Sequence, residues 1–308
     1  MVLDEELDRA AAVLRQGGLV VMPTETVYGL AANALDAEAV KRIYEVKGRP
    51  ATSPLIVHVA AIEMARSLAR CWPEEANVLA GRYWPGPLTL VVPKRPVVPD
   101  VVTAGLDTVA LRMPAHPVAR ELIRRATVPL AAPSANRFTQ LSPTTAEHAR
   151  ASLGDQVDLI LDGGPCQVGI ESTVVSLTGD PLLLRPGMIS LAELERLLGR
   201  PVKTVSKVEG PHPSPGLHER HYAPRTPLLL LKGEPLPAGR GAYLYWSRPQ
   251  RAALQISMPA TAEGYAKRLY EELHRADAAG LDWIAVETPP DEPEWWGITD
   301  RLRRAAAK

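Results

Sequence analysis

Leu19-Val20-Val21-Met22-Pro23-Thr24-Glu25-Thr26-Val27-Tyr28-Gly29-Leu30 is the stretch on which the reading of this chain turns. Its first four residues are a short apolar run of strand length. Leu3, Leu7, Ala11 and Leu14 precede it at helical spacing and end at the Gly17-Gly18 break. The order is helix, turn, strand, and the hydroxyl-rich Pro23-Thr24-Glu25-Thr26 segment leaves at the strand end, where α/β proteins hold ligands. Taken alone, such a segment is more commonly a threonine-rich turn capping the next helix.

Outward from it, the apolar spacing predicts helices over 37–46, 62–69, 74–82 and 117–125, and strands over 54–59, 88–92, 108–112 and near 129–132. Ser142-Pro143-Thr144-Thr145 reads as a helix start, and strands are expected over 157–161, 172–177 and 182–184. Ser190 and Glu193 form a capping box ahead of Leu191, Leu194, Leu197 and Leu198. Residues 205–227 are rich in Pro and Gly and lack apolar periodicity, so they read as a linker. Strands over 228–231, 242–245 and 282–287 alternate with helices over 261–278 and 298–307. The expectation is an α/β protein with a mixed sheet in residues 1–204, the linker, and a small βαβ-type α/β domain in 228–308.

The 308 residues balance 35 Lys and Arg against 35 Asp and Glu, so no bulk basic field recruits nucleic acid, and any anion must be held by a local cluster. No apolar run reaches membrane-spanning length, and Cys71 and Cys166 stand too far apart for a CxxC pair, which excludes a disulfide scaffold and a cysteine-based zinc site. Met1 to Leu7 is acidic and helical rather than a signal segment, so a cytoplasmic location is expected. There is no GxxxxGK[ST] loop, no GxGxxG after a strand and no GxSxG. His218-Glu219-Arg220-His221 spaces its histidines by three and lies among prolines, so it reads as linker and not as a zinc-protease helix, and His212 reads likewise.

Cationic and polar residues at element ends are the candidates for chemistry. Lys47 and Arg49 flank Gly48 after a helix. They could grip a phosphate chain or simply cap that helix. Ser134-Ala135-Asn136 follows a strand, and Arg112 and Arg185 each end one. Composition and spacing stop at a two-domain α/β protein with a possible anion site.

The ordered set PTETVYGL, KGRP with PLIVHV, TVALRMP, PSAN with SPTT, GIESTVV and LRPG resembles the YrdC/TsaC family, the threonylcarbamoyl-AMP synthases, over nearly all of residues 10–200. The linker with its RHYAP segment, followed by a small domain, is similar to the long two-domain form. The resemblance implies a twisted mixed sheet with surrounding helices and a basic cavity, plus a small Rossmann-like C-terminal domain. It implies condensation of L-threonine, bicarbonate and ATP to threonylcarbamoyl-AMP and pyrophosphate. Mg2+ would be bound mainly through the ATP phosphates, with no protein metal ligand, and transferase machinery would move the product to tRNA beside the anticodon.

By motif match, Thr26, His58, Arg112, Ala132 and Ser172 would hold threonine. Lys47, Arg49, Ser53, Thr108, Ser134, Asn136, Ser142, Arg185 and Tyr222 would hold ATP, with Lys47, Arg49 and Arg112 acting on the reacting groups. Tyr222 lies in the linker, which would then serve as an active-site lid. The family commonly carries Asn where Ser53 stands, so that side chain reaches less far. The alternative is a non-catalytic double-stranded RNA or tRNA binding protein of the same fold, with weak RNA binding. A carbamoyl-transfer enzyme of hydrogenase maturation would need cysteine-rich fingers that two isolated cysteines cannot make. The aromatic residues of the C-terminal domain read as packing and not as a second catalytic unit.

Overall fold

The structure, a computed structural model, describes residues 2–205 and 221–307, so most of the linker read over 205–227 lies outside the described residues. In chain order the strands are β1 (Val20–Met22), β2 (Gly29–Asn33), β3 (Ile56–His58), β4 (Leu88–Pro93), β5 (Thr108–Arg112), β6 (Leu130–Ala131), β7 (Leu159–Ile160), β8 (Thr173–Ser176), β9 (Leu182–Arg185) and β10 (Lys203–Thr204). A second set follows: β11 (Leu228–Leu231), β12 (Gly241–Tyr245), β13 (Leu254–Ser257) and β14 (Trp283–Glu287). The helices are α1 (Asp4–Arg15), α2 (Ala37–Lys47), α3 (Ile62–Leu68), α4 (Glu74–Tyr83), α5 (Asp100–Thr103), α6 (Pro117–Ala126), α7 (Ala146–Leu153), α8 (Leu191–Leu198), α9 (Ala262–Ala278) and α10 (Trp296–Ala306).

The first ten strands form one mixed sheet, ordered β10-β9-β8-β4-β5-β3-β6-β2-β1-β7. Side-chain alternation gives this sheet two unlike faces. Val21, Leu30, Val57, Leu90, Leu111 and Val175 point to one face, where they meet α2, α4, α7 and α8 in the main core. On the other face, Val20, Met22, Ala31 and Leu130 pack beneath α1 and α6. Along β3, β5, β4, β8 and β9 that second face keeps only a small cluster of Ile56, Val91, Ala110, Val174 and Leu184. His58 and Arg112 share this face, in register with each other at the strand ends.

The C-terminal strands form a parallel sheet, ordered β11-β14-β12-β13, with α9 and α10 on one face around Tyr265, Leu269, Ile284, Ile298 and Leu302. Tyr243, Trp283 and Trp295 are buried, as the packing reading of these aromatics expects.

Local signals account for much of this. Ser190 and Glu193 close their capping box at α8, with Ser190 N donating to Glu193 Oε2 at 2.9 Å and Glu193 N to Ser190 Oγ at 3.3 Å. Asp36 caps α2 by accepting from Glu38 N and Ala39 N. Three strands escaped the sequence reading, the two-residue edge strand β10 among them. β2 is Gly29-Leu30-Ala31-Ala32-Asn33, poor in branched residues, and becomes a strand through antiparallel pairing with β1 and β6. β13 is four residues long, and parallel pairing with β12 makes it a strand.

Candidate active site

A cavity opens on the thinly covered face of the large sheet. Its wall takes Thr24, Thr26, Val27 and Gly29 from the β1–β2 segment, Ile56 and His58 from β3, and Arg112 from the end of β5. Ala132, Pro133 and Ser134 follow β6, Glu171 precedes β8, Arg185 ends β9, and Arg49, His221 and Tyr222 complete the wall. Residues dispersed over the sequence meet because β3, β5 and β9 end at one level of the sheet, while antiparallel β6 runs back along β3 and sets Ala132 beside Ile56.

The geometry within the Thr24–Thr26 loop follows from its protons. Thr24 Oγ1 donates to Val27 O at 2.6 Å, so in its 2.9 Å contact with Thr26 Oγ1 the Thr26 hydroxyl is the donor. Thr26 then offers its remaining lone pairs to a donor on a ligand. His58 is 3% exposed and its Nδ1 has no partner among the described residues. Burial first, and Arg112 next, hold this imidazole down to about 3, so at neutral pH it contributes hydrogen bonding without charge.

Three buried guanidinium groups surround the opening: Arg49, Arg112 and Arg185, at 7%, 4% and 3% exposure. Arg112 Nη2 donates to Glu25 Oε1 at 2.7 Å and Nε to Gly86 O at 3.3 Å, while Nη1 has no hydrogen-bond partner among the described residues. Glu25 Oε2 also accepts from Ala115 N at 3.0 Å, which fixes the carboxylate that orients Arg112. Arg49 donates Nη2 to Pro54 O at 3.1 Å and lies over the Phe138 ring. Burial above all pulls its pKa down to about 10, which leaves it charged at neutral pH. Arg185 Nε and Nη2 both reach Ser172, at O and Oγ, each at 3.1 Å.

Of the residues carried over by motif, Thr26, His58, Arg112, Ala132, Arg49, Ser134, Arg185 and Tyr222 stand in this wall. Ser172 lies directly behind it on Arg185, and its Oγ is 2.7 Å from Thr89 Oγ1. Lys47, read as gripping phosphate, stands behind the cavity wall and not in it. It occupies the last turn of α2, is 2% exposed, and donates Nζ to Ser134 O at 2.5 Å and to Asn136 O.

The helix end is the cause. Gly48 takes the left-handed conformation at φ 62°, the chain turns sharply, and Lys47 and Arg49 diverge. Burial, and then Arg49, push the Lys47 pKa well below its ordinary value.

Asn136 likewise braces the loop, with Nδ2 donating to Arg137 O at 2.8 Å and Gln140 O at 2.9 Å. Ser142 donates Oγ to Glu171 at 2.5 Å. Ser53 is buried and accepts from Tyr44 Oη and Arg49 Nε through its carbonyl. Thr108 is on the Arg112 face of β5 but at the far end of the strand, about 13 Å away at strand rise, so only a ligand extended along the strand reaches both.

Sequence reasoning missed Glu25 and Glu171 as site residues, although both lie inside quoted motifs, and a carboxylate within an anion-binding motif was the available signal. His221, read as linker, lines the cavity, with its ring 4.1 Å from that of Tyr222. Tyr222 is 2% exposed with φ 61°, a left-handed backbone that costs a non-glycine residue about 1–2 kcal/mol. Residues 206–220 of the segment read as a lid lie outside the described residues.

An arginine-lined cavity on a mixed sheet, closed by residues at the start of a second, parallel α/β domain, defines a two-domain anion-binding α/β protein. Residues 12–187 match the Sua5/YciO/YrdC family model, described as telomere recombination, and residues 189–307 match the threonylcarbamoyl-AMP synthase C-terminal domain. The chain belongs to the threonylcarbamoyl-AMP synthase family, in its two-domain form.

A threonylcarbamoyl-AMP synthase of Pyrococcus abyssi is 43% identical over 316 residues, covering 96% of this chain and 93% of that protein. One of Bacillus subtilis is 41% identical, covering 98% and 93%. The crystal structure of P. abyssi Sua5 complexed with L-threonine superposes with a TM-score of 0.93 at 40% identity, over 99% of this chain and 95% of that one.

Proposed function

We propose that this chain is an L-threonylcarbamoyladenylate synthase, and the observation that carries the reading is an excess of buried positive charge around one cavity. Arg49, Arg112 and Arg185 converge there, whereas the chain as a whole is neutral. Glu25 answers Arg112 and Glu171 is met by Arg301, so the wall keeps a surplus of buried positive charge that an anionic ligand would offset.

Threonine fits the side built from Thr26, His58 and Arg112. Its carboxylate would take the unpartnered Nη1 of Arg112, and its polar groups would meet the Thr26 lone pairs and the neutral His58. ATP fits the side built from Arg49, Ser134, Arg185 and Tyr222, with Thr108 reached by a ligand extended along β5. Lys47 and Asn136 would serve this side indirectly, by holding the Ser134 loop.

The threonine nitrogen adds to the carbon of bicarbonate-derived CO2 and loses a proton, giving a carbamate. A carbamate oxygen then attacks the α-phosphorus, the bond to the β-phosphate breaks, and pyrophosphate leaves. Both reacting groups are anionic, so holding them in line and screening their repulsion does most of the work, and no protein nucleophile is needed. Transfer of AMP in this way makes the enzyme a nucleotidyltransferase.

Glu25 and Glu171, the cavity carboxylates, are already engaged by Arg112 and Ala115 and by Ser142 and Arg301 respectively. Mg2+ therefore fits as part of the MgATP substrate, held by phosphate oxygens and water. The product would pass to transferase machinery that acts on tRNA. No helix among the described residues is long and apolar enough to cross a membrane, and both cysteines are free, which supports a cytoplasmic site of action.

The test is pyrophosphate release from MgATP in the complete mixture against omissions of L-threonine and of bicarbonate. Release that needs both and collapses in Arg185→Ala is expected. Release indifferent to threonine sinks the reading and leaves RNA affinity, titrated against salt, as the measure of the alternative.

A further inference from the structure

A carboxylate in the wall of a cavity that receives a triphosphate opposes its own ligand, and Glu171, 7% exposed, is such a group. Its charge is met from the other domain. Arg301 of α10 is 1% exposed and donates Nε to Glu171 Oε2 at 2.8 Å and Nη2 to Glu171 O at 3.1 Å. Tyr270 of α9 adds its hydroxyl at 3.2 Å. Burial pushes the Glu171 carboxyl up, but Arg301, Arg185 and the Ser142 hydroxyl together hold it below its ordinary value.

The same guanidinium continues past Glu171. Nη1 donates to Pro186 O at 2.8 Å, one residue beyond Arg185, and Cζ lies 5.3 Å from the centre of the Tyr222 ring. One side chain of the C-terminal domain thus touches three segments that carry the nucleotide side of the cavity. The backbones close up beside it: a Cβ on Gly297, one turn before Arg301, would come within 2.8 Å of Gly187 O. Arg301 has no hydrogen bond to Thr26, His58 or Arg112, on the threonine side.

We infer that Arg301 is a positioning residue for ATP, through which the C-terminal domain neutralises Glu171 and braces the Pro186 and Tyr222 segments; this rests on the synthase reading above. The planar fork of arginine matters as well as the charge, because three directions of donation are in use at once. Without Arg301, the buried Glu171 charge would face the phosphates offset only by Arg185 and the Ser142 hydroxyl, while Thr26, His58 and Arg112 would keep their own partners.

The experiment compares the full chain with Arg301→Gln and with Arg301→Gln/Glu171→Gln. It reads the KM for ATP in threonine-dependent pyrophosphate release, the Kd of a non-hydrolysable ATP analogue and of L-threonine by calorimetry, and the melting temperature. Arg301→Gln is expected to raise the ATP KM and the analogue Kd tenfold or more while leaving the threonine Kd within twofold. Adding Glu171→Gln should recover most of that loss, because the under-compensated charge goes with it.

An ATP KM within twofold of the parent overturns the inference. So does a parallel loss of threonine and nucleotide affinity that Glu171→Gln leaves unrepaired, which marks a merely structural role. If Arg301→Gln does not fold, Arg301→Lys replaces it: a raised ATP KM at unchanged threonine Kd supports the inference, and an unchanged KM defeats it. An unmodified chain that releases no threonine-dependent pyrophosphate fails the synthase reading itself, and the inference falls with it.

Discussion

Replacing Lys47 by Met removes an ammonium while keeping a stem of similar length, and separates two roles for that residue. If Lys47 is a clamp, its loss leaves the carbonyls of Ser134 and Asn136 without their charged donor in a site 2% exposed. Ser134 O keeps its bond from Asn136 N at 3.0 Å, so Asn136 O is the buried acceptor left unsatisfied, at a cost of about 1–3 kcal/mol. Relief comes from no longer burying a cation, since no carboxylate among the described residues forms an ion pair with Lys47 and its pKa is already pushed down. The net expectation is a loss of about 1–2 kcal/mol, within the total stability of a typical domain, so the chain still folds.

The freed loop carries Ser134 on the cavity wall, and a shift on the order of 1 Å there is worth up to about 100-fold in rate. Urea unfolding and ATP-dependent pyrophosphate release, measured on the same preparation, therefore fall together. The reasoning is refuted if activity is lost while the unfolding midpoint stays at the parent value, for Lys47 would then act on the substrate directly.

Acid should weaken the fold through two histidines held neutral: His58, brought down to about 3 by burial and Arg112, and His274, brought down to about 4 by burial and the stacked His148. Between those values and the ordinary 6.5 the unfolded chain binds more protons. The stabilisation is thus complete above about pH 6.5 and drains as pH falls, by about 2 kcal/mol per histidine at pH 5. Urea midpoints at pH 7.5 and pH 5 measure this, and His274→Asn should flatten part of the slope.

Gly169→Ala should destabilise by about 2–4 kcal/mol, because its φ is 84° and a Cβ would meet Ala266 O at 2.4 Å on α9; an unchanged urea midpoint contradicts the close packing of the two domains. Arg112→Ala should abolish detectable threonine binding in calorimetry. It should also cost about 3–5 kcal/mol by stranding buried Glu25, a penalty that Glu25→Gln in the same chain should reduce.

The amino-acid sequence by itself determined the alternation of strands and helices and the α8 capping box, whereas the cavity residues in the ordered motifs were named through a family resemblance. The alternation and the capping box are local properties: apolar spacing, side-chain caps and turn chemistry act within a few residues. The β2 strand was illegible because small residues carry little preference of their own, and its conformation comes from partners in β1 and β6.

Only the tertiary structure decided which charges face the cavity. Lys47 and Arg49 are two residues apart, yet the left-handed Gly48 between them sends one to backbone carbonyls and the other to the opening. The link between Glu171 and Arg301 spans 130 positions and has no motif, so spacing could not announce it. A buried charge is tolerable only where folding brings its counter-charge, and that pairing exists only once α10 has packed against the segments before β8 and after β9.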